Sequence, residues 1–187
     1  LLILSLFAAF KLFFLFKYHI PIWDEAVYLG MGKYIYSLGS SGLWEMLRPP
    51  ALPLVTGIFW KLGLPYVFFS EVIIVLFGIG AVFLSYLIAN KLFNRKVAIL
   101  AAALLATSPW FYLYSSYILT EVPSTFFALL AIYAFISRRY FVSGASAAAA
   151  MLFKFPNGLV LAVIAAAIIA SAVIKNFQLL KFGNFTS

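Results

Sequence analysis

"YVFFSEVIIVLFGIGAVFLSYLIAN", residues 66–90, carries one charged side chain, Glu71, in 25 positions. A helix needs about 20 apolar residues to cross the hydrocarbon core of a bilayer, so this run is long enough to span. Its apolar residues are continuous, whereas a barrel strand would alternate in polarity over about ten positions. A lone spanning segment must also satisfy its own backbone hydrogen bonds, which a helix does. The run therefore sets the class as an all-α membrane chain.

The remainder of the 187 residues reads the same way, with 66% hydrophobic residues, 10% charged and a mean hydropathy of +1.10. A soluble domain carries roughly 25% charged residues. Outward from 66–90, further spanning runs lie at 1–18, 97–116, 120–137, 140–155 and 157–175, giving about six transmembrane helices. The segment 19–65 between the first two is too polar in its first half to span. Within it, 24–38 shows helical apolar spacing at Ala26, Val27, Leu29, Tyr34, Ile35 and Leu38. "LPLVTGIFWKLG", 52–63, is apolar but too short to cross. Both fit helices lying in the membrane interface, separated by the "GSSG" break at 39–42. The expected architecture is one all-α polytopic transmembrane domain, 1–187, with two interfacial helices in a long first external loop, 19–65. A start at Leu1 and an end at Phe185-Thr186-Ser187 read as the amino-terminal half of a longer chain.

Several chemistries are excluded at once. The chain has no cysteine, so disulfides, zinc–thiolate sites and thiol catalysis are absent. His19 is the one histidine, which argues against a histidine metal cage or a Ser-His-Asp triad within this chain. The net charge of +8, from 13 basic and 5 acidic residues, orients a polytopic chain and does not signal nucleic acid. Lys91, Arg95, Lys96, Arg138, Arg139, Lys175 and Lys181 follow the second, fourth and sixth runs with no acid among them, which makes those loops cytoplasmic. The opposite, external side then holds all five acids, Asp24, Glu25, Glu45, Glu71 and Glu121, with Lys17, Lys33, Arg48, Lys61 and Lys154. Lys11 is left inside the first run, where a cation costs about 2.5–3.5 kcal/mol on insertion scales. It must snorkel or face protein.

Candidates for chemistry converge on that external face. Asp24 and Glu25 are adjacent in "PIWDEAVYLG", 21–30. One reading is capping, with Asp24 as N-cap and Glu25 in the first turn. The other is a general base at the membrane surface, with its neighbour orienting the acceptor. In "WEMLRPPALPL", 44–54, Arg48 precedes two prolines that stiffen the chain. It is either an arginine snorkelling to lipid phosphates or a pre-organised phosphate clamp. Glu121 follows Thr120, a good N-cap, and precedes Pro123 in a first helical turn. It is either a first-turn acid that stabilises the helix or a functional group. Lys154, in the hairpin "MLFKFPNG", 151–158, either snorkels or holds an anionic leaving group. Trp23, Trp44, Trp60 and Trp110 all fall toward the external side, as on a sugar-binding or lipid-headgroup surface. The small-residue run "SGASAAAA", 143–150, permits close helix packing. The sequon-like "NFT", 184–186, falls on the cytoplasmic side and carries no weight.

The order of these pieces resembles the C-type glycosyltransferases, in particular the protein O-mannosyltransferase and lipid A aminoarabinose transferase group. The resemblance rests on "DEAVYLGMGKYIYSLG", "RPPALPL", "SPWFYLYSSYILTEVPSTFFALLAIYAF" and "MLFKFPNGLVL", in that order. Arg48 stands where the mannosyltransferases have His, and Ala51 interrupts their Pro-Pro-Leu. The resemblance implies inverting transfer of a sugar, mannose or similar, from a polyprenyl- or dolichyl-phosphate carrier to a hydroxyl on protein, lipid or glycan. It implies Asp24 as general base, Glu25 placing the acceptor, and Arg48 with Lys154 stabilising the departing phosphate. Glu121 would orient the sugar or, with Asp24, hold a divalent metal, which some relatives use and others do not. The enzyme would be a multi-pass protein of a prokaryotic plasma membrane or an ER-type membrane, its active site on the external or lumenal face. The competing readings are a transporter or flippase-like module and a structural subunit. Transporters place their acids near the bilayer midplane in broken helices, whereas these acids lie in a loop and at helix starts.

Overall fold

The computed structural model describes residues 2–15 and 20–183, except the side chains of 14 and 171–183. Lys17, His19, the side chains of Lys175 and Lys181, and the stretch 184–186 lie outside the described residues. The described chain is helical, with no strand, and its helices are α1 Leu2–Leu15, α2 Trp23–Tyr36, α3 Ala51–Lys61, α4 Tyr66–Leu92, α5 Arg95–Thr107, α6 Pro109–Tyr114, α7 Glu121–Ile136, α8 Tyr140–Phe153 and α9 Gly158–Gly183. A 3-10 turn, Phe155–Asn157, joins the last two. The all-α class and the two short helices between α1 and α4 match the reading of the sequence.

The spans are less uniform than expected. Among the described residues, α4 is the one helix both long and apolar enough to cross a membrane unaided. At about 1.5 Å per residue, the 16 residues of α7 and the 14 of α8 reach roughly 24 and 21 Å, short of a ~30 Å core. The expected continuous run 97–116 is broken. α5 stops at Thr107, Ser108 turns to ψ 121°, and α6 restarts at Pro109. Proline lacks an amide hydrogen and pushes the residue before it out of the helical region, so the break sits where Pro109 puts it.

Two devices hold the hairpin of α2 and α3, whose connection carries Glu45 and Arg48. At Gly32 and Gly57 the helix backbones touch. A Cβ on Gly32 would lie 2.9 Å from Gly57 Cα, and one on Gly57 would lie 2.6 Å from the Gly32 carbonyl oxygen. In the connection, Gly42 has φ +88°, and a Cβ there would meet the Gly30 carbonyl oxygen at 2.2 Å. The "GSSG" break is thus a folded turn against α2. Gly32→Ala is expected to cost about 1–3 kcal/mol through overpacking, read as earlier thermal unfolding in detergent. Unchanged melting would show that the helices separate freely.

One buried cluster gathers the elements around the candidate site. Tyr28, Leu29 and Met31 of α2 pack with Leu52 of α3, Ile74 of α4, Ile118 and Leu119 of the α6–α7 turn, Val122 of α7 and Phe153 of α8. Phe7 of α1 packs separately with Val82 of α4 and with Ala102 and Ala106 of α5. The run of small residues on α8 packs closely on α7, as read from sequence: Ala147 and Ala131 are buried together, and the Ser143 hydroxyl donates to the Ala131 carbonyl at 2.8 Å.

Candidate active site

The two acids that begin α2 play different structural parts. The helix starts at Trp23 with Ile22 at the N-cap, so Asp24 is not the cap residue. Glu25 supplies the capping contact instead, because the third helical position lets a glutamate reach back over the first turn. Its Oε2 accepts from the Ile22 amide at 2.8 Å. Its Oε1 accepts from the Ile118 amide at 2.6 Å, across 93 residues of sequence. Glu25 is fully buried, whereas the Asp24 side chain is 53% exposed at the rim. Burying a carboxylate is tolerable where hydrogen bonds meet its oxygens, and those bonds pin α2 to the α6–α7 turn.

Arg48 joins the acidic stretch to the proline-rich one. Its Nη2 donates to Asp24 Oδ1 at 2.8 Å and its Nε to Glu45 Oε2 at 2.6 Å. The guanidinium lies 5.1 Å from the centre of the Tyr28 ring, one turn beyond Asp24 on α2. Burial pulls the proton affinity of Arg48 down. Hydrogen bonds to Glu45, Asp24 and Tyr28 and the charge of Asp24 outweigh that and raise it above its ordinary value. Arg48 is a permanent cation with donors left over, since a guanidinium has five. Glu45 had been counted among the external acids without a role. Its three-residue spacing from Arg48 was the available signal.

Glu121 and Lys154 meet as a second ion pair. Lys154 Nζ donates to Glu121 Oε1 at 2.9 Å across 33 residues. Glu121 opens α7 after Thr120, which occupies the N-cap position without a side-chain capping bond. Glu121 Oε2 is buried and has no hydrogen-bond partner among the described residues. Such an atom is uncommon in a folded protein and calls for a reason. Both ion pairs border the same apolar cluster, through Tyr28 on one side and Val122 and Phe153 on the other. Among the described residues no three of His, Cys, Asp and Glu come together as metal ligands. Asp24 and Glu121, offered above for a divalent ion, each rest on a basic side chain.

Lys11, the cation unexplained by sequence, faces protein. It is 1% exposed, and its Nζ donates to the Tyr112 carbonyl and, at 2.8 Å, to Ser116 Oγ. The ammonium also stands 3.6 Å from the centre of the Tyr112 ring. A cation at the carboxy-terminal end of α6 meets carbonyls that the helix leaves unbonded. Two charged side chains, Lys11 and Glu25, therefore grip the same turn, at 112–118.

The family model described as dolichyl-phosphate-mannose-protein mannosyltransferase matches residues 47–183, most of the chain. The matched region contains Arg48, Glu121 and Lys154, while Asp24 and Glu25 precede it. No curated protein and no solved structure matches the chain.

Proposed function

This chain belongs to the dolichyl-phosphate-mannose-protein mannosyltransferase family of membrane glycosyltransferases, and from that premise we propose that it moves a sugar from a polyprenyl phosphate to an acceptor hydroxyl with inversion. The sugar is mannose or a close relative, and the acceptor hydroxyl belongs to a protein, a lipid or a glycan. The observation that carries the reading is the 2.8 Å ion pair between Asp24 and Arg48. It joins a rim carboxylate and a cation with spare donors, the two groups that this reaction needs side by side.

The chemistry divides between them. The acceptor oxygen attacks the anomeric carbon while Asp24 takes its proton, and the carbon–oxygen bond to phosphate breaks with its electron pair leaving on the phosphate. Arg48 holds that developing anion, helped by Lys154. Phosphate competes with Asp24 for the guanidinium, so donor binding turns Arg48 away and frees Asp24 for the acceptor. Glu25 keeps α2 in register with the α6–α7 turn, and Glu121 offers its unbonded Oε2 to a hydroxyl of the sugar or acceptor. The protein sits as a multi-pass chain of about six spans with this site external or lumenal. The charge distribution supports that orientation, since five cations lie at the far ends of α4 and α7. Family membership weighs against the transporter reading, and the acids lie outside the broken helix pair α5–α6.

The test uses full-length protein in membranes with a panel of radiolabelled polyprenyl-phosphate sugars. Wild type is expected to transfer from at least one donor. Arg48→Gln, at equal expression, is expected to lose about 10²–10³-fold. Absence of transfer from every donor would overturn the enzyme assignment, and full activity in the variant would overturn the role of Arg48.

A further inference from the structure

The end of the molecule away from the acids has its own organisation. Glu71 and Lys91 lie 20 residues apart on α4, about 30 Å along the axis. Around Lys91, residues 90–97 of the α4–α5 turn are all exposed. They include Arg95 and Lys96, and the α7–α8 turn adds Arg138 and Arg139, also exposed. Lys91 Nζ donates to Ser137 Oγ at 2.9 Å and stands 5.7 Å from the centre of the Tyr133 ring. That contact brings the carboxy-terminal ends of α4 and α7 together, with the two turns following on from them. Among the described residues, the side chains of Arg95, Lys96, Arg138 and Arg139 have no ion-pair partner.

These positions are costly as they stand. Arg138 has φ +58°, a conformation in which glycine or asparagine is the usual occupant. Arg95 and Lys96 sit in the first turn of α5, where the helix dipole disfavours cations. Beside the cations stand bare apolar side chains, with Phe93 70% and Phe141 89% exposed. Unpaired cations and exposed aromatic rings together are complementary to a phosphodiester headgroup joined to acyl chains.

We infer that this corner, formed by the α4–α5 and α7–α8 turns, is a binding site for an anionic phospholipid. The headgroup phosphate lies among Arg95, Lys96, Arg138 and Arg139, and the acyl chains run beside Phe93 and Phe141. The site is separate from the acidic rim and needs no sugar transfer to be observed.

The full-length protein in dodecyl maltoside would be titrated with short-chain phosphatidylglycerol, with phosphatidylcholine of equal chain length, and with inorganic phosphate, binding being read by native mass spectrometry. Wild type is expected to prefer phosphatidylglycerol over phosphatidylcholine by about tenfold or more. Arg138→Gln with Arg139→Gln should remove that preference, and so should Arg95→Gln with Lys96→Gln on the other turn. The charge-preserving Arg138→Lys with Arg139→Lys should retain it, as should Lys61→Gln at the opposite end. Equal binding of the two lipids by wild type would overturn the site. So would a preference that survives in both glutamine variants, or displacement of phosphatidylglycerol by an equal concentration of inorganic phosphate.

Discussion

Asp24→Asn is expected to abolish most sugar transfer, by about 10²–10⁴-fold, while leaving the fold in place. The two halves of that expectation have different causes. Asparagine keeps a carbonyl oxygen where Asp24 Oδ1 accepts from Arg48, so the bond between α2 and the proline-rich stretch survives. Asp24 is half exposed, and an ion pair in such a place contributes about 0–1 kcal/mol. What asparagine cannot do is take a proton from a hydroxyl. Wild-type and variant proteins would be compared at equal expression, with thermal unfolding in detergent beside transfer from the preferred donor. Equal transfer in both would remove Asp24 from the chemistry and leave it as an anchor for Arg48.

The neighbouring acid should behave in the opposite way. Glu25→Gln, although isosteric, is expected to destabilise the protein by about 1–3 kcal/mol. Both carboxylate oxygens of Glu25 accept from backbone amides, those of Ile22 and Ile118. A carboxamide has one acceptor oxygen, so its NH₂ must face one of those two N–H groups, donor against donor. The buried amide left without a partner keeps its full desolvation cost. Thermal unfolding of Glu25→Gln would come early, and its residual transfer would fall with the folded fraction. A variant that melts like wild type would show that the bond to Ile118 contributes nothing to docking α2. The two substitutions, at adjacent residues, thus separate the proposed base from the residue that holds the turn.

The sequence located the elements because hydrophobic length and periodicity are local properties. The run 66–90 returned as α4, and the two short segments between the first two runs returned as α2 and α3 within a residue or two at each end. The break at Ser108–Pro109 was also legible in principle. Proline chemistry announced it, but the hydropathy of 97–116 masked it, since apolar residues continue on both sides. The cap of α2 was misplaced by two residues, because aspartate is a good cap in general and only geometry shows Glu25 reaching back to Ile22.

The candidate site divides along the same line. Composition and order alone gave an all-α membrane chain, placed the acids and a set of cations in different connections, and suggested the family that the match over 47–183 shows. They named Asp24, Glu25, Arg48, Glu121 and Lys154 as residues worth attention. Only the tertiary structure decided who meets whom: Asp24 on Arg48, Glu121 on Lys154, Glu25 on the Ile118 amide, and Lys11 on the Tyr112 carbonyl. Pairings across 24 to 101 residues depend on which helix faces pack together. That packing follows from close contacts such as Gly32 against Gly57, and a one-dimensional pattern of polarity carries no record of them.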